Sequence, residues 1–335
     1  MSIPVSLKDL TIENITNNVH AINSQCSSPR LKYVLERTVT HLHELAKEVR
    51  LTTDEWMTAI TFLTKVGQIS SDTRQEFILL SDVLGLSLLV DSIDHPKPKG
   101  STEGTVLGPF HTHEAQHGEQ GSLISQDTDG EPLLVLCTVN DVNGHPVAGA
   151  EVDVWETDSK GFYDVQHADR IGPDGRAILT SDKNGHFWFK AIVPVPYPIP
   201  HDGPVGKLLK VLNRHPYRPG HMHFMFKKAG FDPLVTSNKT DILCSALYLK
   251  DDPYESTDAV FGVKDSLVVA LEKVEDERQA NRYGVSLGSA RITYDFVLVT
   301  DEAAAQLRRK KTEEAMAGIS GTSKFTDNLA VPGVG

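Results

Sequence analysis

Two histidines one residue apart, in Arg218-Pro219-Gly220-His221-Met222-His223-Phe224-Met225-Phe226, stand out as residues that could do chemistry. An extended strand sends alternate side chains to opposite faces, so His221, His223 and Met225 share one face while Met222, Phe224 and Phe226 share the other. Two imidazoles side by side make half of a metal site. The same pattern fits a half-buried strand whose histidines are satisfied by hydrogen bonds, and the stretch alone leaves both readings open. Two tyrosines from the same half of the chain can add oxygen donors: Tyr163 in Gly161-Phe162-Tyr163-Asp164, and Tyr197 in Pro196-Tyr197-Pro198-Ile199-Pro200. Each of these, taken alone, reads as a core tyrosine with a bonded hydroxyl.

The elements that must position these donors are strands. After the rigid, polar linker Asp94-His95-Pro96-Lys97-Pro98-Lys99-Gly100 the pattern changes from helical to extended. Residues 133–139 form an apolar run of strand length, Asn143-Gly144 signals a turn, and 150–155 alternates. Residues 187–193 are aromatic and branched, 221–226 alternates, and 246–249 and 292–299 complete the set. Short strands punctuated by Gly and Pro predict a β-sandwich.

The first 100 residues read as helices. Leu31, Val34, Leu35, Leu42, Leu45 and Val49 recur at helical spacing after Pro29. Thr52 to Glu55 is a capping box opening a helix with Trp56, Ile60 and Leu63 inward and Gly67 as its stop, and Asp72 with Gln75 opens another. His41 and His43 diverge around a helix and read as surface or packing residues. The fold class predicted is α+β: a helical domain over residues 1–100, a mainly antiparallel β-sandwich over 101–301, and a short exposed helix with a mobile tail over 302–335.

With 335 residues, 39% of them hydrophobic and 23% charged, the chain has the composition of a soluble globular protein of about two domains. A formal net charge of −12 argues against a nucleic-acid binder. No signal-peptide pattern and no apolar run of spanning length is visible, so a membrane span is not expected. Cys26, Cys137 and Cys244 are too few and too scattered for a disulfide framework and read as reduced structural thiols of a cytoplasmic protein.

Three spaced motifs then carry a resemblance. Tyr197-Pro198-Ile199-Pro200-His201-Asp202-Gly203-Pro204-Val205-Gly206, followed by the Arg218 to His223 stretch, resembles the signature of the intradiol ring-cleavage dioxygenases; Val152-Asp153-Val154-Trp155 through Gly161-Phe162-Tyr163 resembles that family's tryptophan-to-tyrosine segment. Residues 63–68, 74–85 and 105–110 are similar to the amino-terminal domain of catechol and hydroxyquinol 1,2-dioxygenases, so the likeness spans residues 30–300.

The resemblance implies one non-haem Fe(III) per chain, with Tyr163, Tyr197, His221 and His223 as ligands. Phenolates are hard anionic donors suited to ferric iron, and a trivalent cation can keep a phenol ionised at neutral pH. It also implies that Tyr197 dissociates and takes a substrate proton, that Arg218 steadies charge developing on the substrate, and that Leu80, Asp82, Gly108, Pro109, Phe110, Ile199, Pro200 and Phe261 line the pocket. The implied reaction inserts O2 into an ortho-diphenol between its two hydroxyl-bearing carbons through a cyclic anhydride, giving a muconate-type diacid. Residues 80–85 and 106–110 lean toward hydroxyquinol, with maleylacetate as product; catechol, giving cis,cis-muconate, is the alternative. A homodimer through the helical domain, with a lipid at the contact, is carried by the resemblance alone.

The chain departs from the family pattern at Ala246, where relatives carry Gln or His, and in an extra stretch over residues 237–245. The charged run from Glu275 to Arg282 is longer than expected and reads as a solvated loop or helical turn. A reading from another class remains: a non-enzymatic β-sandwich carrier or interaction module that would be colourless, where a ferric tyrosinate protein is wine-red.

Overall fold

In the computed structural model the described residues are 8–71, 74–232 and 245–317. They fall into two compact units, one with the described residues up to Thr64 together with those from Thr312 on, the other with those between Lys65 and Lys311. In the first unit, α1 (Ile15–Asn23) and α2 (Pro29–Glu48) pair through Thr16 Oγ1 and His43 Nδ1 at 3.0 Å and through His20 Nε2 and Thr40 Oγ1 at 3.0 Å. Ser28 caps α2 by accepting from the Leu31 amide, with Pro29 at the first helical position. The expected capping box opens α3 (Thr53–Ile69): Glu55 Oε2 accepts from the Thr52 amide at 2.9 Å, and Thr52 Oγ1 accepts from the Glu55 amide at 3.3 Å. Two expectations fail here. The helix runs past Gly67 to Ile69, and Trp56, Ile60 and Leu63 are exposed rather than inward. Apolar periodicity defines a face without defining what covers it. Asp72 lies outside the described residues.

The second unit holds the rest. Its elements are α4 (Glu76–Val83), α5 (Leu86–Asp94), β1 (Pro132–Asp141), β2 (Glu151–Trp155), β3 (Arg176–Thr180), β4 (His186–Ile192), β5 (Tyr197–Pro198), α6 (Pro204–Val211), β6 (Tyr217–Arg218), β7 (His221–Lys227), β8 (Ser245–Leu249), β9 (Val268–Val269), β10 (Glu272–Lys273), α7 (Glu277–Tyr283), β11 (Ala290–Leu298) and α8 (Asp301–Met316), which runs past its end. One sheet has the order β10-β11-β1-β4, the other β3-β2-β7-β8-β9, and β5 pairs with β6. Most pairings are antiparallel, as expected; β1 with β11 and β8 with β9 are parallel.

Between the two larger sheets lies the core. Val135 and Val139 of β1, Phe187 and Phe189 of β4 and Phe296 of β11 meet Val152 and Val154 of β2 and Met222, Phe224 and Phe226 of β7. Each such side chain contributes ~1.5–3 kcal/mol by leaving water. Because Met222, Phe224 and Phe226 point into this core, strand alternation puts His221 and His223 on the opposite face of the five-stranded sheet. The charged run after Glu275 is α7, capped by Asp276. Residues 237–244 of the extra stretch lie outside the described residues, while Ser245 begins β8 and is fully buried. Among the described residues no helix is long and apolar enough to cross a membrane.

Candidate active site

β7 delivers the two histidines as its alternation requires, and both are 1% exposed. His221 Nδ1 lies 2.7 Å from the Pro219 carbonyl oxygen, which can only accept, so Nδ1 carries the hydrogen and Nε2 presents its lone pair. That Nε2 is 3.1 Å from His223 Nε2. Trp155 sits opposite His223 in the β2–β7 register and stacks flat on its ring, at 4.8 Å between centroids and 10° between planes. Its indole bars water from one side of the imidazole and fixes the ring's plane.

The tyrosines arrive from two other segments. Tyr197 lies on β5, next to β6, and Tyr163 on the loop after β2. Their hydroxyl oxygens are 3.2 Å apart, with the rings edge-on at 89°. Gly161, at φ +83°, makes the approach possible: a Cβ there would lie 2.8 Å from Tyr197 Cβ. Phe110 stacks on Tyr163 at 4.7 Å, and the ring centroids of Tyr197 and His221 are 5.5 Å apart. The four predicted donors therefore converge in one buried patch.

Burial favours the neutral forms of Tyr163, His221 and His223. Burial, with Tyr197 beside it, pushes the Tyr163 phenol well above its ordinary range. Burial and the nearby Arg218 push His221 down to about 3; burial, His221 and Arg218 push His223 well down. Neutral imidazoles are the form that binds metals, and a multivalent cation would reverse the penalty on the phenols. Among the described residues no three His, Cys, Asp or Glu side chains form a metal site, and the Tyr163 and Tyr197 hydroxyls are oxygen groups that lie beside the two imidazoles. Two imidazoles with two phenols suit a hard ferric ion and do not match the two-histidine-one-carboxylate ferrous set.

Arg218, 2% exposed, reaches the same patch from β6. Its Nη1 is 3.1 Å from His221 Nε2, while Nε and Nη2 each donate to Asp258 at 3.2 Å. Burial opposes its charge, but Asp258 and the neighbouring phenol groups outweigh that, so the guanidinium stays charged. Asp82, near the end of α4, has its carboxyl pushed upward by burial, against the opposing pull of Ser87 and Arg218. Leu80 is half-buried two positions earlier on the same helix. Gly108, at φ +73°, and exposed Pro109 form the turn that leads into Phe110. Ile199 is buried and Pro200 half-buried just after β5, and half-exposed Phe261, at φ +61°, rests under the Arg214 guanidinium at 4.9 Å.

Several residues that position this site carried no local signal. Asp164, next to Tyr163, forms a buried ion pair with Arg176 of β3, whose Nη2 also donates to the Phe110 carbonyl at 3.3 Å. Arg214 donates to the Val83 carbonyl at 2.6 Å and the Ala259 carbonyl at 2.9 Å, tying α4 to the loop that carries Phe261. Buried Glu76 takes Arg74 on one oxygen and the Val205 amide on the other, which seats α4 against α6. Leu107 packs on the cluster of Trp155, Tyr163, Tyr197 and Met225. These pairings are visible only once the chain is folded.

The chain is similar to known proteins over most of its length. A family model described as the catechol dioxygenase N terminus matches residues 28–102, and one described as dioxygenase matches residues 106–300. The chain is 64% identical over 326 residues to an intradiol ring-cleavage dioxygenase of Aspergillus niger, covering 97% of this chain and 96% of that one. It is 46% identical over 289 residues to a hydroxyquinol 1,2-dioxygenase of a Rhizobium species, covering 85% and 95%. A crystal structure of hydroxyquinol 1,2-dioxygenase from Pseudomonas putida superposes with a TM-score of 0.80 at 40% identity, covering 87% of this chain and 99% of that one.

Proposed function

Because the chain belongs to the intradiol ring-cleavage dioxygenase family, we propose that it opens hydroxyquinol between its two adjacent hydroxyl-bearing carbons, placing both atoms of O2 in maleylacetate. The family uses non-haem iron, and Tyr163, Tyr197, His221 and His223 would hold one Fe(III) per chain. Bound ferric iron supplies the Lewis acidity that makes a coordinated diol reactive toward O2. Tyr197 Oη accepts a proton from a diol hydroxyl, which lets the substrate enter as an anion. The Nη1 edge of Arg218 steadies negative charge that builds on the ring oxygens, in a patch where burial strengthens the interaction. Trp155 and Phe110 exclude water by covering the imidazole of His223 and the phenol of Tyr163. Asp82, with Leu80, Gly108, Pro109, Phe110, Ile199, Pro200 and Phe261, forms the pocket wall, and its carboxyl recognises the third hydroxyl of the substrate.

The convergence of two phenol oxygens and two imidazole nitrogens beside a buried arginine carries this reading. Iron analysis and visible absorbance, followed by assays on hydroxyquinol, catechol and 4-methylcatechol with one preparation, test it. A wine-red protein with one iron per chain and a preference for hydroxyquinol is expected. A colourless protein that retains no iron after reconstitution refutes the enzyme reading, and a tenfold preference for catechol refutes the substrate.

We propose further that this cytoplasmic enzyme is a homodimer joined through the helical domain of residues 1–100, with a lipid at the contact. Supporting it, α2, its C-cap Val49 and α3 leave Leu42, Leu45, Val49, Trp56 and Ile60 between 42% and 59% exposed, apolar surface that a partner would cover. Light scattering at micromolar concentration should return twice the chain mass; a monomer would rule the dimer out.

A further inference from the structure

We infer that Tyr248, backed by Thr105, is a positioning residue of this site: its hydroxyl holds one edge of the Arg218 guanidinium so that the opposite edge faces the bound diol. The inference rests on the reading of the site given above. Tyr248 lies on β8 opposite His221, and Ala246 lies opposite His223, so Tyr248 shares the face of the sheet that carries the donors. It is fully buried, and its ring is 5.1 Å from that of His221.

The hydrogen bonds around it run in one direction. The Gly262 carbonyl can only accept, so Thr105 Oγ1, 2.6 Å away, donates to it. Thr105 Oγ1 is then the acceptor for the Tyr248 hydroxyl at 3.1 Å. Tyr248 Oη in turn accepts from Arg218 Nη2 at 3.0 Å. Asp258 takes the Nε hydrogen and the other Nη2 hydrogen of the guanidinium. Three of its five N–H groups are thereby directed, and they belong to Nε and Nη2. What remains is Nη1, the edge 3.1 Å from His221 Nε2. Asp258 fixes the plane of the guanidinium, and Tyr248 occupies the second Nη2 hydrogen, so neither Nε nor Nη2 can be drawn to another acceptor.

At Gly262 the backbone leaves room for this arrangement. A Cβ at Gly262 would lie 2.7 Å from Arg218 Nη2, 2.8 Å from Tyr248 Oη and 3.0 Å from Thr105 Oγ1. Glycine at 262 therefore lets three members of the chain of hydrogen bonds meet. None of the three is near another in sequence: Thr105 is 143 positions from Tyr248, and Arg218 is 30 positions from it.

Tyr248→Phe removes one oxygen and keeps the ring. In the iron-loaded protein we expect unchanged iron content and visible absorbance, a kcat lowered by about tenfold or more, and a KM within about threefold, because an aimed cation matters most where charge develops. In an Arg218→Gln background the same change should cost less than about twofold, since the group it aims is gone. Crystals of Tyr248→Phe, with or without iron, should show Arg218 displaced or in two rotamers. Thr105→Val should act in the same direction with a smaller loss, and it serves as the test if Tyr248→Phe does not fold. Turnover within twofold of the parent, losses that multiply with those of Arg218→Gln, or an unmoved Arg218 would each overturn the positioning role. A parent protein that holds no iron and cleaves no diol would overturn the reading of the site beneath it, and the two failures are thus distinguishable.

Discussion

Asp258→Asn is the perturbation whose size the structure fixes best. Arg218 and Asp258 are 2% and 5% exposed, and the carboxylate takes Nε and Nη2 at 3.2 Å each while accepting the Gly262 amide at 2.9 Å and the Val260 amide at 3.3 Å. Removing one partner of a buried ion pair leaves the other charge uncompensated, at a cost of ~3–5 kcal/mol. Asparagine keeps the volume and one acceptor oxygen, so the lower end, about 3 kcal/mol, is expected. For a unit of this size that lowers the melting temperature by roughly 6–12 °C. Urea unfolding followed by near-ultraviolet circular dichroism, which reports Trp155 and Trp188, measures it. The double variant Asp258→Asn with Arg218→Gln should regain about 1 kcal/mol over the single one, because the stranded charge has gone.

The effect also has a direction in pH. Burial works against the charge on Asp258, but the Arg218 guanidinium outweighs it and holds the carboxyl below its ordinary 3.8. A carboxyl depressed in the folded state stabilises the fold fully above its unfolded value, and that contribution is lost as pH falls through the folded one. The gap between parent and variant should therefore be flat from neutral pH down to about pH 5 and shrink below about pH 4. A loss under about 1 kcal/mol, or a double variant destabilised by the sum of the singles, would refute the claim that this pair is a coupled buried unit.

Tyr163→Phe should abolish iron retention, measured by elemental analysis, whereas Tyr197→Phe should keep iron and lose turnover; full activity in Tyr197→Phe would contradict its role as the proton acceptor. Gly161→Ala must hold a side chain at φ +83° and place a Cβ 2.8 Å from Tyr197 Cβ. It should cost about 1–3 kcal/mol and weaken the visible band of the loaded protein by parting the two tyrosines.

What could be read before folding was what depends on neighbours in sequence. Strand alternation placed His221 and His223 on one face, and the capping box opened α3 as written. The family pattern around Tyr163 and Tyr197 singled out the two oxygen donors that the fold brings to 3.2 Å. β3 was missed because a five-residue strand that begins with Arg176 shows no apolar alternation at its start. α6 was missed because Gly203, Pro204 and Gly206 read as loop; in the fold Gly203 precedes the first turn, Pro204 starts it, and Gly206 is required because a Cβ there would collide with the His201 carbonyl at 1.9 Å.

The misreading of Trp56, Ile60 and Leu63 and the invisibility of Tyr248 have one physical origin. Periodicity records which side of an element wants cover, and a hydrogen-bonding side chain records that it wants a partner; neither records the partner's identity. In the first unit, α1 and α2 contain no buried residue among the described ones, so their apolar faces record a demand without naming what meets it. For Arg218, the partners come from Asp258, 40 positions away, and Tyr248, 30 positions away, and Tyr248 is in turn held by a threonine 143 positions from it. An arginine three residues before a histidine pair reads as substrate-facing by analogy alone. Only the closed set of partners shows why it faces that way: with Nε and Nη2 committed to Asp258 and Tyr248, Nη1 is the edge left to meet whatever the two histidines and two tyrosines hold.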